Sequence, residues 1–442
     1  MPALFCDLYE LTMAEAYFRH GHRGEAVFSL FVRSLPETRN VLIAAGLETV
    51  LDQMAELAFT DADIAYLRSL DRFSDKFLDH LARWRFRGEV RAMAEGTPVF
   101  PGEPLLEVRA PILDAQILET LLINQIGLQT LLASKARRVV AAAEGRTVVD
   151  FAARRMQGHD AALKGARAFH IAGVSATSNL EAGARYGMPV AGTMAHSFVQ
   201  SYDDERSAFQ AFAEVFPGTT LLVDTYDPIR GVHRAIDLVR HGRIEIGAVR
   251  LDSGDLASLA RETRAILDAA GLTAVKIFAS GGLDEHRIAA LLDAGAPIDG
   301  FGVGTAMGVS ADAPTLDMVY KLVSYEGEGR LKTSPDKTSL PGAKQVFRYD
   351  RDGRMAGDVI ATAEETGAED STALLALVMS GGRRTRPAPT LDALQAACSA
   401  QWQMLPDAIQ GLTRAAPFPV RLSQSLEARR DAAIDKQRGG EG

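Results

Sequence analysis

TVVDFAARR (147–155), GVSATSN (173–179), GTMAHS (192–197), LLVDTYD (221–227), IGAVRLDSGD (246–255), VKIFASGG (275–282) and DGFGVGT (299–305) carry one pattern seven times: a short apolar run that breaks into polar and glycine-rich residues. The runs are spaced for βα units with helices between them. Parallel strands in such folds carry their chemistry at the carboxyl ends. Seven ends in order predict one charged rim on a barrel-like domain. The alternative, seven unrelated loops, does not account for the regular spacing.

Outward from this series the text changes. Residues 1–20 have helical spacing at Leu11, Ala14 and Phe18, with Gly21 as the stop. Phe28 to Val32 reads as a strand, and 47–58 and 60–84 read as helices. Residues 87–109 alternate short β runs with Gly and Pro, as a small antiparallel sheet does. Residues 111–144 form a long helical stretch with a broad apolar face. After Tyr325 the chain is polar and turn-rich. It holds a hairpin of 343–350 and 355–362 around Asp352-Gly353, a helical 390–413 and an extended 417–422. The tail from Lys436 to Gly442 is expected to be disordered. The expected organisation is an α/β protein in three segments. Residues 1–130 and 336–442 build a sandwich domain from both chain ends, and 131–335 form the barrel.

The chain of 442 residues is 47% hydrophobic and carries a net charge of −9, which argues for a soluble globular protein and against general nucleic-acid binding. Cys6 and Cys398 are the only cysteines, too few for a disulfide framework or a zinc ribbon. No basic segment precedes an apolar stretch near the start, and no run reaches about twenty apolar residues. No signal peptide and no membrane span are expected, and a reducing, cytoplasmic setting fits.

His196 lies in Gly192-Thr193-Met194-Ala195-His196-Ser197, just past an apolar run. Imidazole there suits proton transfer, phosphoryl transfer through nitrogen, or a plain rim hydrogen bond. No histidine at i+4 and no CxxC accompanies it, so zinc is not indicated. Arg250 can hold a carboxylate or phosphate by two parallel hydrogen bonds. Asp252 or Asp255 can accept from ribose hydroxyls or reach Mg²⁺ through water; an internal Arg–Asp pair is the other reading. Phe151 with Arg154 and Arg155 offers a flat face beside cations, suited to a heteroaromatic acid, unless the ring is core. Ser280-Gly281-Gly282 and Gly302-Val303-Gly304-Thr305 read as turns that expose N–H groups to a phosphate, or as tight turns without a ligand. Lys135 and Arg137, in Ser134-Lys135-Ala136-Arg137-Arg138, read as a diphosphate clamp or as helix-terminal cations. Lys276, inside a strand, raises Schiff-base chemistry of the aldolase kind as a rival.

The motifs Asp7-Leu8-Tyr9-Glu10-Leu11-Thr12-Met13, Glu119-Thr120-Leu121-Leu122-Ile123-Asn124, Gly192–Ser197, Leu222–Asp227, Arg250–Asp255 and Pro341-Gly342-Ala343-Lys344-Gln345-Val346, in this order, resemble the nicotinate phosphoribosyltransferase family nearly end to end. The resemblance implies the type II phosphoribosyltransferase fold, an incomplete α/β barrel plus an α/β sandwich domain. It implies that nicotinate and phosphoribosyl diphosphate give nicotinate mononucleotide and diphosphate, with ATP as co-substrate through a phosphohistidine and with Mg²⁺ held mainly by the diphosphate. His196 is then the phosphorylated residue. Phe151 stacks on the pyridine, with Tyr9 of a partner subunit on the other face, which implies a homodimer with shared sites. Arg250 and Arg154 lie near nicotinate and the ribose diphosphate, and Asp252 lies on the ribose. Ser280, Gly281, Gly282, Gly302, Gly304 and Thr305 cradle the 5′-phosphate.

Thr177 and Ser178 are implied on the nicotinate side. Nicotinamide-using relatives place an aspartate at the position of Ser178, where a carboxylate would repel nicotinate. Two departures stand at the phosphate end. Ala306-Met307-Gly308 follows Thr305 where a basic residue is usual, and Gly282 stands where an aspartate is frequent. A decarboxylating quinolinate enzyme of the same fold, and a non-catalytic binding protein, remain as alternatives.

Overall fold

The computed structural model describes residues 2–332 and 339–439. It divides into two compact units, Lys135–Pro314 and a second formed by Met1–Ser134 with Thr315–Gly442.

The Lys135–Pro314 unit is a curled, all-parallel sheet of six strands, an incomplete barrel. The strand order is Ala176–Thr177, Thr147–Asp150, Gly300–Val303, Lys276–Ala279, Ile246–Leu251 and Thr219–Leu222. The period-2 alternation sorts each strand. Val249, Leu251, Ile277, Ala279, Phe301 and Val303 are almost wholly buried. Between them, Arg250 and Phe278 pair across neighbouring strands in one row. The helices His159–Ile171, Pro228–Arg240, Leu256–Ala269 and Glu285–Asp293 return the chain between strands. Three of these starts are fixed by side-chain caps that satisfy first-turn N–H groups: Asp227 accepts from Arg230 N, Asp255 from Ala257 N and Ser258 N, and Asp284 from Arg287 N.

Two expectations change here. The run before Gly192–Ser197 is no strand; it makes only a single bridge, Val190 to Thr177. The rim therefore has six strand ends and one loop. The unit also ends at Pro314, before the expected residue 335. The physical reason is that Met318–Tyr325 pairs along its length with Glu25–Val32, so it is a strand of the other unit.

That other unit carries a seven-stranded sheet in the order Glu328–Gly329, Met318–Tyr325, Glu25–Val32, Pro104–Pro111, Glu89–Ala92, Ala376–Ser380 and Arg383–Arg384. Both chain ends thus share one sheet. Its core includes Leu30, Leu106, Val108 and Val90, all fully buried. The expected hairpin forms as Lys344–Arg351 and Arg354–Thr362, with Asp352 and Gly353 both at positive φ, as a two-residue turn matching strand twist requires. The single helix expected over 60–84 is two, Asp61–Ser69 and Asp75–Arg83. Asp71 takes a left-handed φ of 52° between them, and Ser74 caps the second. Residues 436–439, expected to be disordered, close a helix, Gln424–Gly439, that the sequence reading did not include; the rest of the tail lies outside the described residues.

A buried charge cluster ties the hairpin to the 98–103 turn. Arg348 donates to both oxygens of Asp358, at 2.9 and 2.6 Å, and to Pro98 O. Glu103 is fully buried and its Oε2 accepts from Phe100 N at 2.9 Å. Burial and the adjacent Asp358 push the Glu103 carboxyl well above the usual carboxylate range. Protonation of Glu103 would relieve its repulsion with Asp358 and the cost of burying its charge. A carboxyl raised in the folded state stabilises fully below its unfolded value, and loses that contribution as pH rises through its folded value. Glu103→Gln replaces the proton by a permanent N–H donor. Its melting temperature should exceed the parent's by roughly 1–3 °C near pH 8 and converge with it near pH 5; scanning calorimetry across this range checks it.

Candidate active site

The rim is built outward from Phe151. Its backbone N–H continues the ladder to Val303 O at 2.9 Å, which sets the ring at the carboxyl end of the 147–150 strand. The ring lies against Gly302, where an added Cβ would sit 2.4 Å from Cε2, so only glycine leaves room. Phe278 packs beside it at 6.3 Å between centroids, and the Arg250 guanidinium stands 5.3 Å from its centre, in cation–π range. Asp150 fixes the turn from below. Its buried carboxylate accepts from Ala152 N and Thr177 Oγ1, both at 2.7 Å. Burial raises this carboxyl against those two hydrogen bonds. The Thr177 hydroxyl is thereby committed to Asp150, while Ser178 is exposed and gives its N–H to Asp150 O.

Arg250, Asp252 and Ser280 form the centre. Arg250 Nε donates to Ser280 Oγ at 2.8 Å and its Nη2 to Asp252 Oδ1 at 2.7 Å; Ser280 Oγ donates to the same Oδ1. Asp252 N donates to Asp224 Oδ2 at 2.8 Å, as does Ser253 Oγ. Asp224 Oδ1 is buried with no hydrogen-bond partner. His196 opens a short helix, with Nδ1 3.1 Å from Thr225 Oγ1 and Nε2 3.8 Å from Asp252 Oδ2. Burial would raise the Asp252 carboxyl, but Ser280, Arg250 and His196 together hold it below the usual range.

The two glycine turns close the same pocket, which Phe151, Arg154, Arg250, Asp252, Gly281 and Gly304 help to line. Gly281 has φ of +88°, and a Cβ there would lie 1.7 Å from Asp252 O. Gly282 is also left-handed, and Gly304 precedes the turn Thr305–Gly308. Arg154 and Arg155 are exposed at the pocket wall on a 3₁₀ turn.

Other expected residues lie elsewhere. Lys135 is 2% exposed and bonded to Glu285 and Asp312, and Arg137 is buried and donates to Ala172 O. Neither cation is presented to the pocket, so the diphosphate clamp is withdrawn. Asp255 spends its carboxylate on a helix cap. Lys276 is exposed at the amino end of its strand, beside Thr147, Gly247 and Asp299, away from the rim; a Schiff-base site there has no support. Tyr9 belongs to the other unit, exposed on the helix Leu8–Arg19; burial of its hydroxyl and Glu119 raise the phenol, which stays neutral. Asp150, Asp224 and Thr193, which Arg250 approaches at 3.5 Å, were not singled out from sequence. Their signal was present, as polar residues at or beside the breaks, but acceptors of backbone N–H groups leave no spacing rule.

An incomplete parallel barrel with a basic, glycine-lined rim, accompanied by a sheet domain drawn from both chain ends, defines a type II phosphoribosyltransferase fold. Residues 4–127, 147–333 and 368–429 match the N-terminal domain, the family and the C-terminal domain of nicotinate phosphoribosyltransferase. A nicotinate phosphoribosyltransferase of Mycobacterium tuberculosis is 52% identical over 428 residues, covering 96% of this chain and 92% of that one. One of Bacillus subtilis is 42% identical, covering 82% and 76%. The crystal structure of human nicotinic acid phosphoribosyltransferase superposes with a TM-score of 0.87 at 29% identity, covering 96% of this chain and 99% of that one. The chain belongs to the nicotinate phosphoribosyltransferase family.

The Asp252 environment yields a titration test. A depressed carboxyl contributes stability above the unfolded carboxylate range and loses it as pH falls through the folded value. Ser280→Ala removes one of the groups that hold it down, so the Asp252 midpoint should rise toward the ordinary value. Carbon-13 carboxyl NMR reads this directly; an unmoved midpoint means Arg250 and His196 suffice.

Proposed function

We propose that this chain joins nicotinate to phosphoribosyl diphosphate, forming nicotinate mononucleotide and diphosphate for NAD salvage, with ATP as co-substrate through His196. The observation that carries this reading is the single pocket that sets an aromatic face, a guanidinium 5.3 Å from its centre, a carboxylate and two glycine turns together. Nicotinate lies on Phe151 with its carboxylate toward Arg250. Its ring nitrogen attacks the anomeric carbon, and the C1–O bond electrons leave with diphosphate. Asp252, held ionised, accepts from ribose hydroxyls. Arg154 and Arg155 take phosphate charge, and the Gly281–Gly282 and Gly304–Thr305 turns take the 5′-phosphate. This is catalysis by positioning and charge neutralisation.

No group of three or more His, Cys, Asp or Glu able to hold a metal occurs among the described residues. The Asp224 Oδ1 without a partner and the Asp252 carboxylate nevertheless fit a Mg²⁺ held chiefly by diphosphate. Bound there, Mg²⁺ would neutralise the leaving group. His196, with its side chain 42% exposed, can take the γ-phosphoryl of ATP with release of ADP, and water later removes it as phosphate. Tyr9 supplies the second stacking face from a partner subunit of a cytoplasmic homodimer, and both cysteines are free thiols, as that compartment requires. The quinolinate reaction is not favoured, because it uses no ATP and leaves His196 without a task.

Diphosphate release from phosphoribosyl diphosphate, with nicotinate, nicotinamide or quinolinate and with or without ATP, tests the reading. Only nicotinate should support release, and ATP should stimulate it; no release with any acceptor would point to a non-catalytic binding protein. His196→Ala should abolish the ATP stimulation and keep slow transfer. Ser178→Asp should raise the KM for nicotinate about tenfold or more, a loss of about 1.4 kcal/mol, because a carboxylate then faces the acid substrate. An unchanged KM refutes the specificity argument.

A further inference from the structure

Lys135 is buried, is not among the residues lining the Phe151–Thr305 pocket, and takes part in no step above. Its Nζ lies 2.5 Å from Glu285 Oε2 and 2.7 Å from Asp312 Oδ1. Arg138, one turn along the same helix, donates to the other oxygen of Glu285 at 2.9 Å. The Glu285 carboxylate is wholly buried. Burial alone would push it up, but Lys135 and Arg138 hold it below the usual carboxylate range.

The positions of the two carboxylates matter. Glu285 is the first residue of the helix that follows the Gly281–Gly282 turn. Asp312 follows the Thr305–Gly308 turn, which is closed by Gly308 N to Gly304 O and by Ala311 N to Ala306 O. One ammonium group is therefore bonded to a carboxylate that follows each glycine turn in the chain. A phosphate bound between two backbone nests is sensitive to their separation, since N–H donors serve it only at hydrogen-bond distance. Neither turn carries a lysine or arginine of its own at Gly281–Gly282 or Gly304–Gly308, so their geometry bears more of the phosphate contact.

We propose that Lys135 is a positioning residue that fixes the spacing of the two phosphate turns, tying Glu285, which follows one, to Asp312, which follows the other. This rests on the reading of those turns as the 5′-phosphate site. Its effect falls chiefly on phosphoribosyl diphosphate; Arg250, on the nicotinate side, has its own bond to Asp252.

The test uses the full chain with Asp312→Asn and Lys135→Met. Binding of phosphoribosyl diphosphate is measured by calorimetry, and the KM of each substrate by diphosphate release. Asp312→Asn removes the charge of one leg, leaving at most a neutral hydrogen bond there, and leaves the Lys135–Glu285 pair. It should fold normally and weaken phosphoribosyl diphosphate binding several-fold, with the nicotinate KM unchanged. Lys135→Met should weaken it further, by about tenfold or more, and its result counts only if the variant folds; otherwise Asp312→Asn decides. Unchanged phosphoribosyl diphosphate affinity in Asp312→Asn overturns the proposal. So does an equal rise in both KM values, which marks a merely structural role. Calorimetry needs no turnover. Wild-type protein that binds phosphoribosyl diphosphate but releases no diphosphate would refute the proposed reaction and leave the brace to be judged on affinity alone.

Discussion

Asp252 is engaged on every side, and the rim depends on it. Its N–H goes to Asp224 at the end of one strand, its carboxylate to Arg250 on its own strand and Ser280 at the end of the next, and its carbonyl lies where a Cβ on Gly281 would be. Three neighbouring strand ends are thus locked through one residue. The orientation of Arg250 follows, because Nε and Nη2 are both held. The Gly281 turn follows too, because no other residue tolerates that approach to the carbonyl. A rim preorganised in this way requires little reorganisation when charge develops at the anomeric carbon.

What the sequence made legible was whatever follows from local period. Apolar runs with polar breaks located all six strand ends of the parallel sheet, and with them Phe151, Arg250, Asp252 and the glycine turns; the seventh run, before Gly192, is the one that forms no strand. The failures have a different physical origin. The partners of Lys135 lie 150 and 177 residues away in the chain, and nothing local marks them. A cation cluster near a helix looks the same whether it faces a ligand or a buried carboxylate. The break at Asp71 in the expected 60–84 helix was likewise hidden, because a left-handed aspartate is a conformational choice and not a residue type. Met318–Tyr325 was assigned to the barrel side because sheet membership depends on a partner strand, here Glu25–Val32, nearly 300 residues earlier by register.

Burial sorts the cations of the barrel unit into two kinds of work. Lys135, Arg137 and Arg138 are almost fully buried and spend their donors on protein acceptors, since a buried charge without a partner is costly. Arg154 and Arg155 are exposed at the pocket wall. Arg250 is intermediate, held on two nitrogens while remaining at the pocket surface. Position relative to water, more than residue type, separates the groups that organise the site from those that can meet an anion.

The same reasoning accounts for how an acidic chain binds an anionic substrate. The net charge is −9, and the carboxyl ends of the strands are followed by Asp227, Asp255 and Asp284. Each of these three accepts from N–H groups of the helix it precedes, where the positive end of the helix dipole offsets its charge. Asp150, and Asp224 through its Oδ2, accept from backbone and hydroxyl donors. Of the rim carboxylates only Asp252 lines the pocket, and it does so paired with Arg250. The potential a phosphate meets is then set by the exposed arginines and the glycine turns, and the formal charge of the whole chain has little say in it.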